Sequence, residues 1–143
     1  MGCHACEVAC KQEHALDVGP RLIQVVERAP LFVPIYCHHC SRPPCQDACP
    51  ADAIFRDERG IVLIDEESCM GCKACVEACP FAAAQFDEKR EVAVKCDLCQ
   101  ERLANGEEPA CARACPTQCI VWGGMDSISQ AVAGRVLARQ LVP

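Results

Sequence analysis

The sequence predicts a small α+β fold whose interior is filled by metal-bound thiolates and which ends in a helix. Three observations predict it. Sixteen of the 143 residues are cysteine, and they fall into four spaced groups. Aromatic residues make up only 4% of the chain, so a core of interlocked rings and branched aliphatics would be thin for this length. Short alternating segments lie between the groups, and helical spacing sets in only after Gly123 and Gly124.

Cysteine this dense signals either a disulfide scaffold in an oxidising compartment or thiolate ligands in a reducing one. The first 20 residues lack the apolar run of a signal peptide and carry Cys3, Cys6, Cys10, Lys11 and Glu13 instead. No segment approaches the ~18 uninterrupted apolar residues of a membrane span. The thiols are therefore expected to be metal ligands in a cytoplasmic protein with no direct membrane insertion. Export together with a partner, or a leader upstream of this chain, stays open. A formal charge of -6 provides no basic face to neutralise phosphates, which argues against a nucleic-acid partner.

The third group is the clearest: Cys69, Cys72, Cys75 and Cys79, then Pro80. This is C-x2-C-x2-C-x3-C-P, the bacterial ferredoxin run, in which three thiolates wrap one 4Fe-4S cubane and the fourth reaches the neighbouring cluster. Pro80, with its fixed φ and no N–H, directs the chain away. Zinc sites use paired C-x2-C knuckles and suit this run poorly. The second group, Cys37, Cys40, Cys45 and Cys49 followed by Pro50, widens its middle gap with Ser41, Arg42, Pro43 and Pro44. The two prolines stiffen that loop. The fourth group is Cys96, Cys99, Cys111 and Cys115 before Pro116; its long middle gap holds Asn105, Gly106 and Pro109, and can project as a surface loop.

The first group, Cys3, Cys6 and Cys10, is one cysteine short. Met1-Gly2-Cys3-His4-Ala5-Cys6 superimposes on Met70-Gly71-Cys72-Lys73-Ala74-Cys75, and Cys69 precedes Met70. The repeat therefore places the missing cysteine immediately before Met1, as if the chain began late at an internal methionine. The alternative is a genuine three-cysteine site holding a 3Fe-4S cluster, or a cubane with another ligand. Cys119 is left over. It aligns with Ala53 and Ala83 of the other repeats, which favours a small buried apolar residue over a substitute ligand.

With four groups in hand, the stretch from Cys3 to Lys11, the segment C-H-H-C-S-R-P-P-C-Q-D-A-C-P and the segment C-D-L-C-Q-E-R-L-A-N-G-E-E-P-A-C-A-R-A-C-P-T closely resemble the four-cluster iron-sulfur subunit of the dimethyl sulfoxide reductase family of molybdopterin oxidoreductases. The resemblance covers residues 1 to about 124. It implies two ferredoxin-like dicluster lobes related by pseudo-two-fold symmetry: residues 1-34 and 90-124, with the linker 11-34, as one lobe, and residues 35-89 as the other. A C-terminal helix, 125-143, follows. It also implies crossed ligation. Cys37, Cys40 and Cys45 with Cys79 hold one cluster, and Cys69, Cys72 and Cys75 with Cys49 its neighbour. Cys96, Cys99 and Cys111 with Cys10 hold a third, while Cys3, Cys6 and Cys115 supply part of a fourth.

The function implied is that of a non-catalytic electron-transfer subunit. It would relay single electrons through 4Fe-4S clusters between a molybdenum or tungsten pterin catalytic subunit and a redox partner, often a quinone-linked membrane subunit. A free-standing polyferredoxin and a structural zinc protein are the competing readings. The chain has no nucleophile with a base, no phosphate-cradling glycine loop and no dinucleotide fingerprint.

Between the cysteines, residues 53-56 and 61-64 around Asp57-Glu58-Arg59-Gly60 predict one hairpin, and residues 84-86 and 92-94 around Asp87-Glu88-Lys89-Arg90 a second. Residues 22-26 predict a strand in the linker, and short helical turns are expected after each Cys-Pro approach. In the C-terminal helix Asp126 or Ser127 can cap, and Ile128, Val132, Val136 and Arg139 recur at helical spacing, expected to pack on this subunit. His4, His38 and His39 are expected to fill loop positions, although their ring N–H groups could reach sulfur. Lys11, Lys73 and Lys95 are expected to be solvated, the alternative being that they offset cluster charge.

Overall fold

A computed structural model describes residues 2–141, with side chains described through residue 137. Met1, the side chain of Arg139 and positions 142-143 of the predicted helix lie outside the described residues. The order is α1 (Ala5–Glu13), β1 (Ile23–Arg28), β2 (Leu31–Tyr36), α2 (Pro44–Asp47), β3 (Ile54–Arg56), β4 (Val62–Ile64), α3 (Ala74–Ala78), β5 (Gln85–Asp87), β6 (Val92–Val94), α4 (Gln100–Ala104), α5 (Ala110–Arg113) and α6 (Met125–Leu141). The strands form three separate two-stranded antiparallel sheets, β1-β2, β3-β4 and β5-β6. Among the described residues, no helix is long and apolar enough to cross a membrane.

Both predicted hairpins form. Ile54 pairs with Ile64 and Arg56 with Val62, and the turn closes as Asp57 Oδ1 accepts the Ile61 N–H at 2.7 Å. In the second hairpin Gln85 pairs with Val94 and Asp87 with Val92, and Asp87 Oδ1 accepts the N–H groups of Lys89 and Arg90. An aspartate at the head of each turn thus satisfies backbone donors that the short ladders leave free. The linker strand is β1, two residues longer at its C-terminal end than residues 22-26 predict. Its partner β2 carries Pro34 opposite Val25. A proline argues against a central strand, yet the Val25 N–H points out of the ladder to Glu7, so this is a non-hydrogen-bonded pair and Pro34's missing N–H lies on the outer side.

The short helices differ from expectation in position. α2, α3 and α5 span the residues leading up to Cys49, Cys79 and Cys115, instead of following the Cys-Pro step. One turn fits between the third and fourth cysteines of a run, and the proline after the fourth prevents its continuation. α1 packs against α5, and α2 against α3. Strand β6 serves both cores by alternation: Val92 and Val94 join Cys6, Cys10, Leu22 and Ile23, while Ala93 points the other way to Ile54, Val62 and Cys75. The 89/90 boundary predicted between lobes falls in the β5-β6 turn.

α6 starts at Met125, ahead of the predicted caps, with the Ile128 N–H donating to the Gly124 carbonyl at 3.0 Å. It does not pack as expected on its own subunit. Met125, Val132, Val136 and Leu137 are exposed, and only Ile128 and Ala131 among its described side chains are half-buried. Arg135 ties it to the carbonyls of Gln118 and Cys119.

Candidate iron-sulfur sites

The cysteine loops share a backbone device that spacing alone does not display. The second residue after the opening cysteine is left-handed in the second, third and fourth groups: His39 at φ 46°, Gly71 at 70° and Leu98 at 59°. The third residue after each Cys-Pro cysteine is left-handed as well: Asp52 at 52°, Ala82 at 51° and Gln118 at 49°. Three of these reversals turn backbone N–H groups toward sulfur. The N–H groups of His39, Leu98 and Ala83 donate to the Sγ atoms of Cys37, Cys96 and Cys79, each at 3.4 Å. Such donors stabilise negative charge on sulfur.

At Gly71 an added Cβ would lie 2.8 Å from the Glu91 carbonyl oxygen. His39 and Leu98 hold the same left-handed φ with a side chain in place. Gly71→Ala is therefore expected to cost about 2 kcal/mol from overpacking and left-handed strain together, read as lower thermal stability and easier loss of iron, with Leu98→Gly as the contrasting, mild variant.

Two pockets collect the thiols of the second and third groups. One is lined by Cys37, Cys40, Cys45 and Cys79, with Val62, Ala84 and Lys95 in its wall. The other is lined by Cys49, Cys69, Cys72 and Cys75, with Ile54 and Ala93. Each pocket takes three cysteines from one loop and one from the other. The loops also touch through rings: His38 lies between Tyr36 and Phe81, 5.2 Å and 4.4 Å away centroid to centroid. His38 is thus a packing bridge between the groups.

In the other half of the chain Cys10 faces Cys96, Cys99 and Cys111, and Cys6 faces Cys115. Burial, followed by the mutual repulsion of neighbouring sulfurs, pushes thiols of both halves up: Cys75 and Cys111 to about 11, and Cys10 further. Burial and Asp97 push Cys96 to about 12 against the Leu98 N–H. Thiols gathered so closely cannot ionise together without cationic charge among them. All sixteen cysteines are free, so the donor set is soft, sulfur-only and unspent, as iron-sulfur clusters require.

Cys3 is exposed, and Cys115 differs from the other thiols in its chemistry. The Thr117 hydroxyl, 3.4 Å from Cys115 Sγ, leads a set of donors that brings this thiol down to about 6. Cys119 is not the small buried residue its alignment predicts. It is exposed, and its Sγ lies 3.5 Å from that of Cys115. The left-handed turn at Gln118 swings it toward its neighbour's sulfur.

Of the lysines only Lys95 departs from expectation, and the histidines find specific partners. Lys11 and Lys73 are at the surface, Lys73 paired with Glu88 at 2.8 Å and lying 4.0 Å over the Phe86 ring. Lys95 is buried. His4 pairs with Glu7 at 3.1 Å. His39 accepts the Val62 N–H at Nδ1, 3.1 Å away, which leaves the proton on a buried Nε2 with no partner among the described residues. Burial, helped by the Lys95 charge, brings its pKa down to about 4, so the ring is neutral. His14 gave no signal in the sequence: its Nε2 lies 3.6 Å from Cys99 Sγ and 3.4 Å from Asp97, from a helix end 85 positions away in the chain.

The family model for a 4Fe-4S dicluster domain matches residues 29–125. The chain belongs to the family of iron-sulfur electron-transfer subunits. It is 42% identical to the thiosulfate reductase electron transfer subunit PhsB of Salmonella typhi, the match covering 88% of this chain and 71% of that protein. The formate dehydrogenase iron-sulfur subunit of Wolinella succinogenes is 38% identical, with 97% and 84% covered. A subunit of the anaerobic dimethyl sulfoxide reductase of Escherichia coli is 33% identical, with 89% and 70% covered. They are named as an electron transfer subunit, an iron-sulfur subunit and a chain of reductases or a dehydrogenase, which favours that role over a free-standing polyferredoxin, and the 4Fe-4S dicluster match favours iron-sulfur clusters over structural zinc.

Proposed function

We propose that this subunit relays single electrons along a line of 4Fe-4S clusters between a molybdenum or tungsten pterin catalytic subunit and a further redox partner, which in complexes of this kind can be a quinone-linked membrane subunit. The observation that carries it is the pair of neighbouring thiol quartets, each built from two exchanged loops. A cubane bound there accepts or gives one electron with little change in geometry, because the charge spreads over several irons. The chain's own residues hold each cluster, shield it with buried aliphatics and set its potential through N–H donors and nearby charge.

The ligand sets are Cys37, Cys40, Cys45 and Cys79; Cys49, Cys69, Cys72 and Cys75; and Cys10, Cys96, Cys99 and Cys111. Cys3, Cys6 and Cys115 make a fourth set lacking one cysteine in this chain, with Cys119 beside Cys115 as a thiol within reach. The repeated left-handed positions and the α1-α5 and α2-α3 contacts support two ferredoxin-like lobes related by a pseudo-two-fold axis. Sixteen free thiols favour cluster assembly in the reducing cytoplasm.

Anaerobic purification with iron and sulfide counting tests this reading. About 12 irons per chain are expected from three cubanes, about 15 with a three-iron fourth centre, and about 16 if that centre is completed. Coexpression with a pterin-containing subunit should give a stable complex. Iron-free, folded protein would sink the proposal, and a cluster-loaded chain that stays alone beside its candidate partner would return the polyferredoxin reading.

A further inference from the structure

Lys95 directly follows β6 and precedes Cys96, and only 7% of it is exposed. Its ammonium donates to two backbone carbonyls, that of Val62 in β4 and that of Cys96, the latter at 3.1 Å. The ion pairs among the described residues all involve other groups, so no carboxylate balances it. Carbonyl dipoles offset only part of the cost of burying a charge. The fold therefore keeps a positive charge in a place that calls for a negative one.

Two thiol quartets adjoin it. Lys95 lines the pocket of Cys37, Cys40, Cys45 and Cys79, and the carbonyl it grips belongs to Cys96. Cys37 opens the first of these sites and Cys96 the other, so the ammonium lies against both. His39 holds the other polar atom of Val62, its N–H, at Nδ1.

We propose that Lys95 is the shared counter-charge of these two sites, raising the reduction potentials of both clusters and so holding them together at the step where an electron crosses from one loop pair to the other. A fixed cation in a poorly solvated interior favours the form carrying the additional electron. The step moves one electron and makes or breaks no bond. The inference rests on the cluster assignment above and makes Lys95 a positioning residue for potential.

The test is an EPR-monitored redox titration of the holoprotein, comparing the parent chain with Lys95→Met, Lys95→Gln and Lys95→Arg, each with its iron count. Glutamine keeps a donor for the carbonyls without the charge, and methionine is a buried neutral of similar length. In both neutral variants the one-electron equilibria of two clusters are expected to shift tenfold or more toward the oxidised form, about 59 mV per tenfold, with the remaining clusters unmoved. Lys95→Arg should restore the parent values. Unchanged potentials, an equal shift of every cluster, or an arginine variant that behaves like glutamine would overturn the inference. Loss of iron from every variant, Lys95→Arg included, would make Lys95 a structural strut and overturn it too. An iron-free parent chain would instead remove the cluster assignment itself, so the two failures are distinguishable.

Discussion

Cys49→Ser is expected to damage the cluster of the third loop and spare that of its own. Cys49 closes the second group in sequence, but it lines the pocket of Cys69, Cys72 and Cys75, while Cys79 closes the pocket of Cys37, Cys40 and Cys45. The one-turn helices α2 and α3 cause this exchange. Each carries the chain from its third cysteine to its fourth, and packing against each other brings each fourth cysteine to the opposite site. Removing one of four thiolates should lower the iron count by about one where a three-iron cluster survives, or by about four where the site empties. Counting alone cannot say which cluster went, so pairs of changes decide. Cys49→Ser combined with Cys72→Ser should lose no more than the single cluster that Cys72→Ser loses. Cys49→Ser combined with Cys40→Ser should lose two. The opposite pattern would mean that each loop keeps its own fourth cysteine.

Much of this arrangement is legible in the sequence because cluster loops are specified by short-range rules. Spacing in the third group and the prolines at 50, 80 and 116 identify the loops, and turn residues such as Asp57 and Gly60 locate the hairpins. What spacing cannot carry is contact between distant segments. Pro34 hides β2, because its missing donor matters only on the side that faces the partner strand, and here it faces away. His14 reaches Cys99 from the end of α1, and Lys95 is buried because β6 and β4 meet there, so a lysine that looks like any surface lysine becomes an interior cation. Alignment with Ala53 and Ala83 misplaces Cys119. The backbone turn recurs at Asp52, Ala82 and Gln118, but burial after that turn depends on what packs over it, and over Cys119 little does. The apolar residues of α6 recur at helical spacing and so suggest packing, yet periodicity shows only that a stripe exists, not what covers it.

Stripping the clusters anaerobically with a strong iron chelator is expected to abolish the cooperative fold, a loss of ~5 kcal/mol or more, the whole stability of an ordinary domain. Apart from α6, the elements are too small to hold without them. The three sheets have two strands each, below what stands alone in water, and α2 to α5 have four or five residues, too few to persist unaided. Cysteines sit inside both core groups, Cys6 and Cys10 in one and Cys75 in the other. pH acts oppositely on the two forms. In the stripped chain any residual fold favours neutral thiols, because Cys75, Cys96 and Cys111 titrate at about 11 to 12 against an ordinary 9.0. That contribution is fully present below pH 9 and is lost as pH rises through 11 to 12, so alkali cannot rescue the apo-protein. The loaded chain must keep thiolates, so protons compete with iron and retention weakens as pH falls. Amide exchange over residues 53-64 and 85-94 is the decisive measurement. Protection there should vanish with the iron and return on reconstitution, and protection that survived chelation would show that side chains alone build this interior.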